Sequence, residues 1–260
     1  MNKPLILISA CLITCSTSSL AANWSKTQLH VNRGEFTNPF TLDEAKTSVF
    51  SLQHASGYDY GDNFFFVDYI DDDIEDNYQD RDFYMEWYST VSLSAVSDYS
   101  FKKGFLKDVG LVMGVNIAGD PKVVKYLPGV KLSWDIPGFN YVSTTITGYF
   151  DDSAGVAKQG VPSQSNAWMF DLAWGYPFTL GNQKFLFTGH AEYIGSRQNE
   201  FGAYVNDWLL AQPILQWDLG HALGNQSDTL MLGIEWQIWR NKLGGTVNES
   251  APQLHVAWTF

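Results

Sequence analysis

Cysteine is nearly absent from this chain: the two it has, Cys11 and Cys15, sit within the first fifteen residues. Beyond them there is no thiol to form a disulfide framework, bind a metal or act as a nucleophile. Long apolar runs are missing as well. After the opening segment no stretch reaches the ~18 consecutive apolar residues of a spanning helix, which excludes a helical membrane bundle. The spacings G-x-S-x-G and H-E-x-x-H do not occur. His30, His54, His190, His221 and His255 are scattered without ligand spacing. These absences point away from an enzyme and imply no metal or cofactor. Basic residues are scarce too, with 16 Lys and Arg against 28 Asp and Glu and a formal charge of −12. Such a chain repels nucleic acid and suits neutral or cationic solutes.

What the chain does hold is aromatic carbon: 10 Trp, 13 Tyr and 17 Phe, yet its mean hydropathy is only −0.16. Alternating strands reconcile the two, because a barrel shows every second residue to lipid and the others to a wet lumen. The C-terminus carries the pattern most plainly. Leu254, Val256, Trp258 and Phe260 alternate with small or polar residues, which makes a strand with one apolar face. Bacterial outer-membrane barrels close on such a strand, and the barrel-assembly machinery is the partner expected to read it.

The N-terminus agrees. Lys3, the apolar run from Pro4 to Cys15 and the small residues ending in Ser19-Leu20-Ala21 read as a signal peptide over residues 1–21, cleaved after Ala21 or Ala22. The run is about a dozen residues, short of the ~20 that span a bilayer. A lipoprotein signal at Ile8-Ser9-Ala10-Cys11 would leave too short a leader. Residues 22–260 show no linker or shift of composition and read as a single domain.

Twelve strands are predicted, near 24–33, 46–56, 61–70, 82–94, 105–117, 122–135, 138–149, 165–176, 183–194, 205–219, 228–240 and 250–260. The expected fold is all-β: a membrane-spanning antiparallel barrel of about 12 strands, multi-pass in the Gram-negative outer membrane, with both termini periplasmic. External loops are then expected near 34–45, 71–81, 118–121, 150–164, 195–204 and 241–249, and the tightest turn at Ile136-Pro137-Gly138. The carboxylate-rich stretch Asp71 to Asp82 lacks the glycine and glutamate of a calcium loop and reads as a solvated external loop, or alternatively as a divalent-ion bridge to neighbouring lipopolysaccharide.

The string from His54 to Asp68, HASGYDYGDNFFFVD, resembles the second hairpin of the nucleoside-specific channel-forming family of outer-membrane proteins, its OmpK-like branch more than its Tsx branch. Met85-Glu86-Trp87 with Ser92-Leu93-Ser94, the turn Asp135 to Phe139, Lys184 to Phe187, Gln212-Pro213, Gly233 to Trp239 with Asn241-Lys242, and Pro252-Gln253-Leu254 match in family order, so the resemblance spans roughly residues 46–260. It implies a monomeric twelve-stranded barrel passing nucleosides, with a second identity as a phage receptor. Ser89-Thr90 stands where relatives tend to have Pro-Arg, and Thr188 where they tend to have aspartate. Both departures leave the choice of solute open.

Strand parity says what lines the pore, since fixing one residue outward fixes its neighbours. With Phe65, Val67 and Tyr69 toward lipid, Phe64, Phe66 and Asp68 turn inward. The same argument turns Glu86 and Tyr88, Asp108, Asp171, His190 and Glu192, Gln212, Gln216 and Asp218, and Glu235 and Gln237 inward. Lys131 is the inward lysine singled out, near Asp135. The expected lumen, lined for solute by Phe64, Phe66, Asp68, Glu86, His190, Glu192, Glu235 and Gln237, is acidic and partly aromatic. It suits a channel for small solutes, nucleosides first, whose bases stack on Phe64 and Phe66 while carboxylates take sugar hydroxyls. The alternatives are a general cation-preferring pore, or a plugged barrel whose loops, 71–81 and 150–164 above all, serve as a phage or surface receptor. His190 beside Glu192 is also the spacing of an acid/base pair, but one common on any wet strand.

Overall fold

The computed structural model describes residues 22–76 and 78–260; the predicted signal segment 1–21 lies outside the described residues. Period-2 alternation rich in β-branched and aromatic residues drives the chain into strands: β1 Trp24–Thr37, β2 Glu44–Tyr58, β3 Gly61–Asp71, β4 Arg81–Ser92, β5 Leu106–Ala118, β6 Val123–Trp134, β7 Tyr141–Asp151, β8 Ala167–Leu180, β9 Gln183–Ile194, the short β10 Arg197–Gln198 and β11 Tyr204–Val205, then β12 Trp208–Asp218, β13 Leu230–Arg240 and β14 Glu249–Thr259. Twelve of them close an antiparallel barrel in which each pairs with its neighbour in sequence, β9 passes directly to β12, and β14 returns to β1. The closing register runs from Gln28 opposite Thr259 to Arg33 opposite Leu254. No helix of the described residues is long and apolar enough to cross a membrane; the strands do it.

Closure sorts the two faces of each strand into lipid and lumen. On β14, Leu254 is 59% exposed and Trp258 52%, while His255 and Ala257 between them are 0% exposed. Outward rings also pair across strands. Phe50 of β2, Tyr69 of β3 and Phe83 of β4 follow one another at 6.4 and 5.2 Å, cross-strand pairs each worth about 0.2–1 kcal/mol.

All twelve predicted strands are present, with three differences in the connections. β1 and β2 run past the expected 34–45 loop, pairing out to Thr37 opposite Glu44 with Phe36 and Ala45 buried, and the connection shrinks to 38–43. The tightest turns are the two-residue hairpins Asp59-Tyr60 and Gly181-Asn182. Gly181, at φ 61, supplies the left-handed backbone the second one needs. The Ile136-Pro137-Gly138 turn is wider, opening over 135–140 around the Phe139 N–H to Ile136 C=O bond of 3.1 Å. Finally, the connections at the end holding both termini are not uniformly short. Residues 93–105 include the helix α1 Leu93–Val96, and 219–229 the helix α2 Leu219–Ala222.

Candidate pore lining

The residues predicted to line the pore come from four strands. Phe64, Phe66 and Asp68 come from β3, Glu86 from β4, His190 and Glu192 from β9, and Glu235 and Gln237 from β13. They gather into two groups. In the first, Phe66 stands opposite Glu86, and the rings of Phe64, Phe66 and Tyr84 follow one another at 6.1 and 5.9 Å. The Glu86 carboxylate accepts from the Tyr84 hydroxyl and from Asn116 Nδ2 at 2.8 Å, and Tyr88 donates to Asn116 Oδ1 at 3.2 Å. The rings are half-buried, so they form a wall and not a filled core.

The second group is a chain of hydrogen bonds around the β8 to β1 arc. His190 meets the Asp171 carboxylate through Nδ1 at 3.2 Å and Gln212 Oε1 through Nε2 at 2.8 Å. Gln212 Nε2 donates to Glu235 Oε1 at 3.0 Å and to Gln237 Oε1 at 3.3 Å, so its oxygen is left to accept and both imidazole nitrogens face acceptors, a pattern that the doubly protonated ring satisfies. Glu235 also accepts from Asn32 Nδ2 at 2.8 Å and from Gln253 Nε2 at 3.2 Å. Asn32 Oδ1 in turn takes His255 Nδ1 at 2.6 Å, and His255 Nε2 meets Gln216 Nε2 at 2.7 Å. His255 therefore donates at one nitrogen and accepts at the other, as the neutral ring does. Asp68 Oδ1 is buried without a hydrogen-bond partner.

Three expectations change. Lys131 pairs with Asp62 on β3, its Nζ 2.8 and 3.0 Å from the two carboxylate oxygens, while Asp135 faces Lys102 at 3.8 Å. Lys131 stands opposite Gly110, and with no side chain there it reaches inward across the sheet, whereas Asp135 lies past the strand's end. His190 bonds Asp171 and Gln212 and not Glu192. The inward carboxylates, for which the sequence offers no evident partner on a neighbouring strand, mostly have one: Glu86 meets Asn116, Asp171 meets His190, and Glu235 meets Gln212 and Gln253. Asn32, Tyr84, Asn116, Gln253 and His255 were missed as lining residues, as was the buried pair Lys125–Asp151 at 2.9 Å. Parity marks each of them as inward, but it cannot say which inward residues meet.

Water reaches only part of this interior. The side chains of Asp62, Lys131, Asp171 and His190 are 33, 23, 20 and 34% exposed, whereas Glu235 and Gln253 are buried. At the end away from the termini, the mouth holds a cavity of about 610 Å³ lined by Asp72, Asp73, Glu75, Asp80, Arg81 and Asp120. Burial, then the carboxylates Asp80, Asp76 and Asp73, push Asp72 above the ordinary aspartate range, against a bond from the Ile74 N–H. Among the described residues no three His, Cys, Asp or Glu converge as for a metal ion.

No family model matches the chain, and no curated protein matches it. Solved structures do. The NanC porin superposes with a TM-score of 0.53 at 14% identity, over 89% of this chain and 100% of that one. The fold is that of an outer-membrane porin. The KdgM porin follows at a TM-score of 0.49 and 9% identity, covering 90% of this chain and 99% of that one. OccK10 from Pseudomonas aeruginosa gives 0.34 and 9%, covering 91 and 99%. The likeness to NanC is one of fold alone. With the apolar outer belt, a closed twelve-stranded barrel of this kind is a multi-pass protein of the outer membrane.

Proposed function

We propose that this barrel is a narrow channel for nucleosides and similar neutral or cationic ring-bearing solutes. The observation that carries the reading is the inward aromatic wall of Phe64, Phe66 and Tyr84 ending on the Glu86 carboxylate. A base stacked on such rings gains about 1–3 kcal/mol per base, and carboxylates beside it accept sugar hydroxyls. Nucleotides meet the carboxylates Asp68 and Glu86 beside the rings. The motif resemblance to nucleoside-specific channels supports the same reading, and it takes the protein as a monomer, embedded among lipid and lipopolysaccharide with the termini periplasmic. No catalytic role, metal or cofactor enters it.

Single-channel conductance of the refolded protein in a planar bilayer tests the proposal. Block by adenosine and thymidine, at concentrations where a nucleotide does nothing, is the expected result. Cation-selective conductance without block would leave a general cation pore. A second reading has its own support in Arg197 and Lys242, buried residues of the connections at the far mouth: a plugged barrel serving as a phage or surface receptor, which would show no conductance and lose adsorption when loops 72–80 or 152–166 are deleted.

A further inference from the structure

The hydrated side of the lumen ends under a dry ceiling. On β6, β8 and β9 the water-exposed side chains are Lys131, Asp171 and His190. Two to four residues farther toward the mouth away from the termini, the same strands carry Leu127, Met169 and Ile194, exposed by 2% or less and packed with Tyr149 and Trp208 into one apolar cluster. Four residues of strand are ~13 Å, about half the apolar height of an outer-membrane barrel.

Above this cluster sits Arg197. It opens β10, turns back into the barrel and is 4% exposed. Its guanidinium lies 4.1 Å from the Trp208 ring centroid and 5.5 Å from that of Tyr149. Nε donates to Gln164 Oε1 at 2.5 Å and Nη1 to Gly195 C=O at 3.2 Å, while Nη2 has no acceptor. A guanidinium has five N–H donors, so this one is buried short of partners and held in part by ring faces. Such a latch is incompletely satisfied when shut. The surrounding segments are tied together: Ser165 N–H bonds Gln198 C=O at 2.7 Å, Gln198 N–H bonds Ser165 Oγ at 3.0 Å, and Glu200 accepts from the Val156 N–H at 2.9 Å. The ribbon β10–β11 and loop 152–166 form one lid with Arg197 as its pin.

The β1, β13 and β14 side differs. There the Glu235, Asn32, Gln253 and His255 network fills the barrel itself, and Lys242 seals it by bonding Glu249 at 2.8 Å and Thr37 C=O at 2.7 Å. Lifting a loop on that side uncovers wall packed on wall, not a shaft.

We infer that the solute path runs along β6, β8 and β9 and that Arg197 is its gate, opening when the lid lifts off Trp208 and Tyr149. The inference rests on the channel reading. Its test is planar-bilayer recording of the full chain with Arg197→Ala, Arg197→Lys, Gln164→Ala and Lys242→Met, folding being checked by heat-modifiable gel mobility. Arg197→Ala should raise open probability severalfold, Gln164→Ala should do so more weakly, Arg197→Lys should fall between Arg197→Ala and the parent, and Lys242→Met should leave it unchanged. Gln164 lies in the lid and keeps the test alive if Arg197→Ala fails to fold. Equal gating of the parent and all three lid variants would overturn the gate while leaving the channel. Opening by Lys242→Met alone would place the path on the other side. Silence of every variant would overturn the channel reading, and the gate with it.

Discussion

Lys131 on β6 reaches across β5 and β4 to bind both carboxylate oxygens of Asp62 on β3, at 2.8 and 3.0 Å. The pair stands in the hydrated part of the lumen, its side chains 23 and 33% exposed, so its worth to stability is small, about 0–1 kcal/mol. On the channel reading, its effect on permeating ions is expected to be larger. Lys131→Gln leaves Asp62 uncompensated and should move the zero-current potential in a salt gradient toward cation preference, and Asp62→Asn should move it the other way. Equal potentials in both variants would mean that ions do not pass this pair.

Glu86 should separate charge from hydrogen bonding. Glu86→Ala takes the acceptor from the Tyr84 hydroxyl and leaves Asn116 Nδ2 only its 3.1 Å bond to the Tyr84 oxygen, a loss of about 1–3 kcal/mol visible as a lower urea midpoint. Glu86→Gln keeps an acceptor oxygen and should recover much of that loss, while reducing cation preference as far as the alanine variant does. Equal destabilisation by both would show that the charge, not the acceptor, holds this wall together.

Phe64→Ala and Phe66→Ala test the aromatic wall. If each ring contributes about 1–3 kcal/mol of stacking, half-block by adenosine should shift to concentrations roughly five- to hundred-fold higher, with conductance in the absence of nucleoside unchanged or raised. Block that survives both substitutions would remove the solute site from β3.

The closing strand gives a prediction about depth. Val256 faces lipid within the belt, opposite Val31, whereas Phe260 lies at the end of the strand, its N–H on Thr27 C=O. Lysine on a lipid face costs about 2–4 kcal/mol near the midplane and about 0–1 near the interface. Val256→Lys should therefore depress the folded yield from lipid vesicles strongly and Phe260→Lys little. In cells the order should reverse if the assembly machinery reads the terminal ring, so comparing yields in vesicles and cells separates lipid cost from recognition.

The strands, their number and the facing of their side chains were legible before any coordinates, because the period of two is local: once Phe65 or Leu254 is outward, sterics along one strand decide the rest. Phe64 and Phe66 of the aromatic wall were legible for the same reason, and Tyr84 was not picked out. Less was legible wherever a partner comes from a distant part of the chain. Parity put Lys131 inside but paired it with Asp135, its neighbour in sequence, when its partner lies 69 residues away. Nothing local joins His255 to Asn32, 223 residues apart, since that contact exists only once β14 closes on β1.

The sequence by itself determined a lipid-facing barrel with an acidic, ring-bearing interior, since solvent preference is written residue by residue along each strand. The tertiary structure alone decided how much of that interior is open. Register and closure set which inward side chains meet and fill the β1, β13 and β14 side. The fold of the 152–166 and 195–207 segments brought Arg197, at a position predicted only as external loop, back over Trp208 and Tyr149. Loop conformation depends on contacts with the whole rim, and no local period encodes it.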